Sequence, residues 1–335
     1  MGMEDKIEDL LARYSLKIKH RKKSRGALLL DTDRGRYIFK QYQGNAARID
    51  FEEDIKSMLA AKGYTLTDTA LKNIDGQWLT KDCYGNDWIM RAWHPGQECD
   101  IENTRQIYAA AEHMAKLHLM MDGRDIEKNE LMSNAGCVDI YSMFDRHNRE
   151  LKHIYTYIRK KRKKNDMELC MLNTCEQFRS QGEYALEFLK ESGIEKLCSR
   201  CREEKWLIHG NYNYHNISFG ADGIITTNFT GARVGLQIMD LYDFLRKILE
   251  KNNWDTRTGI GVIEAYSRGR TLSAEEKKVF FALLLYPEKY WKQLDFYYNS
   301  KKAWVSAKNH EKLKRICSQE TERKQFLSDV KRLLF

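Results

Sequence analysis

The stretch from Leu207 to Asp240, LIHGNYNYHNISFGADGIITTNFTGARVGLQIMD, constrains this chain more than any other. Its skeleton is His209-Gly210, a single residue, four more, and then Asn216. A hairpin turn follows at Ala221-Asp222-Gly223, then the pair Asn228-Phe229, then Asp240-Leu241 opening an apolar helical pattern. So many features at fixed separations do not describe a chance turn. They describe a loop whose spacing is specified, and the rest of the chain reads as its support.

Loops of this layout do phosphoryl transfer when an Asp follows His-Gly and a second Asp precedes Phe. The first accepts or orients the attacking hydroxyl, and the second holds Mg²⁺. Here both positions are Asn, at Asn211 and Asn228. An Asn amide takes up no proton at neutral pH, although its oxygen still accepts a hydrogen bond. Losing a general base typically costs about 10²–10⁴ in rate. An Asn oxygen is a permissible but neutral ligand for a hard cation. With Asn216 and Asn228 as the recognisable metal ligands, the metal site offers no carboxylate, and metal binding is expected to be weak.

The chain leading to this loop opens with a helical pattern over residues 3–14. Leu16 to His20 alternate, RKKSRG reads as a turn, Ala27 to Leu30 as a buried strand, and Arg36 to Tyr42 as a third strand after the turn Asp33-Arg34-Gly35. A helix from Ala46 to Lys62 then ends at Gly63. Lys40 on the third strand would reach nucleotide phosphates, or it is a lysine on a wet strand face. On the helix that follows, Phe51, Ile55, Met58 and Leu59 form the apolar face. Glu52 lies at its margin as the acid that would pair with Lys40, and Glu53 points to solvent. No glycine loop covers the first hairpin, which has only Gly26. Strands at Gln77–Lys81 and Asp87–Trp93 complete a small sheet. The backbone at Ala92 and Trp93 would meet an adenine edge. From Asn103 to Met121 the spacing is helical, and His118 reads as a packed helix residue rather than a base. Residues 139–200 and everything after Asp240 read as helices. The fold class is therefore α+β, with a sheet-bearing small lobe at 1–93 and a mainly helical large lobe at 94–335 that carries the 207–240 loop.

The chain has 335 residues, a formal net charge of +9 and two prolines, with no linker or low-complexity tract. A positive balance suits a polycationic small substrate poorly. The run RKKRKK, Arg159 to Lys164, could touch nucleic acid, acidic lipid or acidic protein. Asn165 and Asp166 follow it directly, so a solvated helix end is the plainer reading, and nucleic acid is not expected as a partner. Cys198 and Cys201 form a C-x-x-C that Cys170 and Cys175 could complete into a zinc quartet, but the spacing of the latter pair is long for a knuckle. The eight cysteines are too sparse for a disulfide scaffold. No apolar run approaches a membrane span, and the N-terminus lacks a signal-peptide layout, so cytoplasmic synthesis is expected.

The chain resembles the aminoglycoside and choline kinase-like group of the protein kinase-like fold and, within it, the CotS family of spore coat proteins. The resemblance rests on the M-A-K-L-H helix at 114–118, the H-G-X-Y-N-Y-H-N loop, D-L-Y-D-F-L-R-K at 240–247, L-x-Y-P-E-K-Y-W-K at 284–292 and Y-Y-N-S-K-K-A-W at 297–304. It implies a bilobal kinase-like fold in an endospore-forming bacterium, assembled with other coat proteins. It also implies that Lys40 matches the phosphate-contacting lysine and Glu52 its partner. Asn211 stands in the place of the catalytic Asp, Asn216 matches the metal-holding Asn, and Asn228 takes the place of the metal-binding Asp. Asp240 matches a structural Asp. The expectation is a catalytically impaired, pseudokinase-like coat component or scaffold. The alternatives are an ATP-dependent phosphotransferase on a small molecule or coat protein, and a sensor that binds ATP with little or no Mg²⁺.

Overall fold

A computed structural model describes residues 3–24, 26–44, 46–126, 129–133, 137–299 and 307–335. The chain divides into two compact units. Unit 1 is residues 1–136 with 204–240, and unit 2 is residues 137–203 with 241–335.

Unit 1 begins with helix α1 (Met3–Leu11) and strands β1 (Ile18–Ser24), β2 (Ala27–Thr32) and β3 (Gly35–Gln41), then helix α2 (Ala46–Ala61). Short strands β4 (Ala70–Leu71), β5 (Leu79–Lys81), β6 (Asp87–Ala92) and β7 (Gln97–Glu98) follow, then helices α3 (Thr104–Met120) and α4 (Glu130–Ser133). The sheet order is β1-β2-β3-β6-β4, all antiparallel, with β5 also on β6. The expected RKKSRG turn is mostly strand: Lys22 and Lys23 pair with Leu29 and Leu28, and the turn shrinks to the residues between Ser24 and Ala27, of which Arg25 lies outside the described residues. An edge strand accommodates such lysines because one side of its backbone meets water. Leu28, Leu30, Phe39 and Met90 make a core against Leu10, Leu11 and Tyr14. Helix α2 stops at Gly63, whose φ of +88° only glycine adopts without cost. Asn103 caps α3 by accepting from the backbone of Arg105 and Gln106.

The 207–240 stretch supplies the remaining strands of unit 1: β8 (Leu207–Ile208), the hairpin β9 (Ile217–Gly220) and β10 (Gly223–Thr226), and β11 (Arg233–Val234). β8 pairs with β11, and β9 pairs with both β10 and β7.

Unit 2 is helical. Its elements are α5 (Ile140–Lys160), α6 (Asp166–Lys190), α7 (Ile194–Glu203), α8 (Ile238–Lys251, entering from unit 1), α9 (Thr256–Gly269), α10 (Ala274–Leu285), α11 (Glu288–Asn299), α12 (Ala307–Ser318) and α13 (Glu320–Leu334). Leu151, Ile154 and Ile158 of α5 meet Met171, Cys175 and Phe178 of α6 in one core, joined by Tyr290, Leu294 and Leu313. The aromatic stretch around Pro287 fills this interior: Tyr290 stacks on Phe178 at 3.9 Å, and Tyr286 on Phe144 at 4.1 Å. The RKKRKK run is a helix end and turn. Lys161 reaches back to the buried Glu168 at 2.7 Å, while Asn165 and Glu168 close a capping box. Part of the 297–304 motif, residues 300–304, lies outside the described residues. No helix among the described residues is long and apolar enough to cross a membrane.

Candidate functional site

The 207–240 loop is hung from one carboxylate. Asp240 accepts from the backbone N–H of His209 at 2.7 Å and of Gly210 at 2.8 Å, and its Oδ2 lies 3.2 Å from His118 Nε2. His118 is buried, as expected for a packed helix residue, and its carbonyl accepts from Gln237. Burial works to raise the Asp240 carboxyl, but the hydrogen bond from His118 and the neighbouring imidazoles outweigh it and hold it below the usual range. His209 Nδ1 accepts from Asn211 N–H at 3.2 Å, which leaves the ring proton on Nε2 facing Thr227 O at 3.1 Å. Burial holds that imidazole neutral by lowering its pKa. Gly210 sits at φ +70°, and a Cβ there would stand 1.9 Å from Gly231 O. The loop thus touches the 229–231 turn backbone to backbone.

At the two positions where Asn replaces the carboxylates of a phosphotransferase loop, the structure has a closed amide network. Asn213 donates to Asn211 Oδ1 at 2.9 Å, and Asn216 donates to Asn211 O at 2.8 Å. Asn228 faces Asn216 Oδ1 at 3.4 Å and accepts at its own Oδ1 from Thr230 at 2.7 Å. Asn228 stands in the left-handed region, φ +66°, where Asn is tolerated better than most residues. Each amide oxygen already has a donor and none carries charge, so the set fits a resident Mg²⁺ poorly. Among the described residues no group of three or more His, Cys, Asp or Glu is arranged to hold a metal ion.

The loop nevertheless has a carboxylate beside it. Asp68, from the segment between α2 and β4, accepts from Asn228 N–H at 3.1 Å. Its charge is already matched: Lys56 Nζ lies 3.1 Å from Asp68 Oδ1 and 2.9 Å from Glu53, and Arg91 lies 3.9 Å from Asp68 Oδ2. Burial works to raise the Asp68 carboxyl, and Lys56 and Arg91 overcome it.

This cluster corrects the expected roles of Glu52 and Glu53. Glu52 is fully buried and its Oε2 accepts from Arg91 at 2.7 Å, so the acid expected to pair with Lys40 is held by the strand behind it. Glu53 is buried, not solvent-facing, because Lys56 one turn on draws it inward. The helical wheel assumed water on the polar side of α2, where the 64–68 segment and β6 instead bring Asp68 and Arg91. Lys40 is half-buried and makes no ion pair to Glu52. Burial lowers its pKa, and Asp68 partly restores it. Of the backbone expected at an adenine edge, the N–H groups of Ala92 and Trp93 are in use: Ala92 N–H bonds Thr69 O at 2.7 Å, and Trp93 N–H bonds Arg36 O at 2.9 Å. The sheet ladder and its flanking segment take both.

Sequence reading missed Arg48, Lys56, Asp68 and Arg91. Arg48 of α2 donates to Thr230 O at 2.5 Å and to Ala232 O, fastening the turn after Asn228 to the helix. The available signal was the acidic pair Glu52-Glu53 with Lys56 at i+4 and i+3 among apolar neighbours, a pattern for internal pairing. The cysteine quartet does not assemble either. Cys198 Sγ lies 3.1 Å from Cys137 Sγ, while Cys175 packs in the α5–α6 core.

These burials fix a direction of pH dependence. His113, in unit 1, is half-buried and desolvation lowers its pKa from 6.5 to about 4, and the buried His147, in unit 2, behaves alike. A depressed folded pKa means the unfolded chain takes the proton first, so stability is intact above the unfolded value and is lost as pH falls. Chemical denaturation is expected to show stability declining from about pH 6.5 down to about 4. Below that the depressed carboxyls of Asp68 and Asp240 continue the decline. A flat profile between pH 6.5 and 4 would contradict the neutral burial of these imidazoles.

Solved structures similar to this chain are kinase-like phosphotransferases. An aminoglycoside phosphotransferase from Alicyclobacillus acidocaldarius superposes with a TM-score of 0.86 at 16% identity, covering 98% of this chain and 96% of that one. Spectinomycin phosphotransferase APH(9)-Ia, in complex with ADP and spectinomycin, gives 0.61 at 12% identity, covering 96% and 99%. The amicoumacin kinase hAmiN gives 0.54 at 12% identity, covering 97% and 94%. At these identities the likeness establishes the fold, which is the bilobal α+β fold of the kinase-like group. No curated protein matches the chain. The family described as "Spore coat putative kinase YutH" matches residues 7–330.

Proposed function

The chain belongs to the spore coat YutH kinase family, and from that premise we propose that it is a catalytically impaired kinase-like protein acting as a binding scaffold in spore coat assembly. In this reading the small lobe, 1–93, and the large lobe, 94–335, keep a kinase shape without its reaction, and the partners are other coat proteins. One observation carries the proposal: Asn211, Asn216 and Asn228 are spent on each other and on Asn213 and Thr230, and the acid at Asn228 N–H, Asp68, is neutralised by Lys56 and Arg91. In this reading positions 211, 216 and 228 offer no base to deprotonate a hydroxyl and no carboxylate to anchor a metal-bound phosphate.

A second reading has its own support. Lys40 is a half-buried cation without an ion pair to Glu52, and it could meet a phosphate chain with no metal present. That favours metal-independent nucleotide sensing over phosphate transfer.

Thermal denaturation with ATP, in EDTA and in Mg²⁺, tests both. The expected result is that Mg²⁺ adds nothing: no shift in either condition for the scaffold, equal shifts for the sensor. A shift that grows several-fold with Mg²⁺ would overturn the scaffold reading and restore the enzyme. The variant Asn211→Asp/Asn228→Asp extends the test. It is expected to gain Mg²⁺-dependent stabilisation by ATP, while transfer stays absent because Glu52 remains bound to Arg91.

A further inference from the structure

The positive charge of this chain is confined to one unit. Lys and Arg number 34 against 23 Asp and Glu in unit 2, and 23 against 25 in unit 1. Within unit 2 a cleft of about 370 Å³ lies among the C-terminal half of α8, the start of α11, and α12 and α13. Its floor is aromatic, with Tyr242, Trp254, Tyr286 and Tyr290. Seven of its lining residues are Lys or Arg and three are Glu.

The three acids are already engaged. Glu250 is held by Arg246 at 2.5 Å and Lys289 at 2.8 Å, Glu288 by Lys292 and the Tyr242 hydroxyl, and Glu320 by Arg323 at 3.5 Å. Lys251, Lys312 and Arg315 are left over. All three are exposed, and none has a carboxylate partner among the described residues. Arg315 turns to the carbonyls of Glu250 and Lys251, each at 3.3 Å. Like charges gathered at a concavity repel unless something anionic occupies it. Deeper in, Arg246 Nε and Gln293 Nε2 are buried donors with no acceptor, on side chains 7% and 8% exposed. Unsatisfied buried donors are costly and call for an acceptor.

We infer that this cleft of unit 2 is a binding site for a small organic anion carrying two or more carboxylate or phosphate charges. The aromatic floor receives its flat or apolar body, and Lys251, Lys312 and Arg315 receive its charges at the mouth. The site uses no residue of the 207–240 loop and stands whether or not that loop binds nucleotide.

Titration calorimetry in about 0.15 M salt, where long-range attraction is screened, tests the inference with pyrophosphate and citrate as separate probes. The wild-type protein is expected to bind at least one of them, which identifies phosphate or carboxylate as the preferred charge. Lys251→Glu/Lys312→Glu should weaken that binding at least ten-fold with an unchanged melting temperature. Lys160→Glu/Arg162→Glu, the same charge change at the exposed α5–α6 tip, should leave it unchanged. Equal loss in both double variants would reduce the site to general attraction by net charge and overturn the inference. So would no binding of either probe, or binding of a poly-glutamate peptide alone, which would make the surface a protein-docking face.

Discussion

Gly210→Ala is expected to destabilise unit 1 by about 2–5 kcal/mol. Two costs add. An Ala at φ +70° enters the left-handed region, at roughly 1–2 kcal/mol. Its Cβ would also stand 1.9 Å from Gly231 O and 2.7 Å from Arg233 Nη1, and overpacking against backbone costs about 1–3 kcal/mol. Neither side can retreat. Gly210 N–H is tied to Asp240, the carbonyls of Phe229, Thr230 and Ala232 are tied to Arg48, and Gly231 O accepts from Arg233. Gly76→Ala supplies the control, because Gly76 has nearly the same φ, +75°, with nothing within 4 Å of its would-be Cβ. It should cost only about 1 kcal/mol. Urea denaturation of both variants separates conformation from contact. Equal losses would mean that the Gly210–Gly231 approach contributes nothing.

That contact also shows what the sequence makes legible. His209, Gly210, Asn216 and Asp240 could be placed from spacing, because each marks a local feature, a turn, a short strand or a helix start, although the hold of Asp240 on His209, Gly210 and His118 is long-range. The three strands, the helix after them and the fold class are legible for the same reason, since hydrophobic period and turn residues are local signals. The acid network is not. Asp68 meets Asn228 across 160 residues, and Glu52 meets Arg91 across 39. Nothing in the letters around Asp68 separates it from an ordinary loop Asp, and a helical wheel cannot know that a loop will cover its polar side. The neutral letters at 211 and 228 were visible, but the way they satisfy one another was not, because Asn side chains can turn to water as readily as to each other.

Arg91→Met puts this hidden network to the test. The guanidinium is 2% exposed and bonds Glu52, which is 0% exposed. Without it, the ion pair left to Glu52 among the described residues is Lys56 at 4.0 Å, and Lys56 is already shared between Glu53 and Asp68. Breaking a buried pair on one side costs about 3–5 kcal/mol, because the remaining charge has neither water nor partner. The expected result is a loss of that size in denaturation. Removing both charges, in Arg91→Met/Glu52→Leu, should recover most of it, since a well-packed apolar pair often equals a buried ion pair. Lys56 would still hold Asp68, and Asp68 would still hold Asn228 N–H. If the double variant stays as unstable as the single one, Arg91 is acting mainly on Asp68 and the Asn228 turn rather than on Glu52. The network would then be the clamp that fixes the loop, acting through Asp68 on the Asn228 N–H.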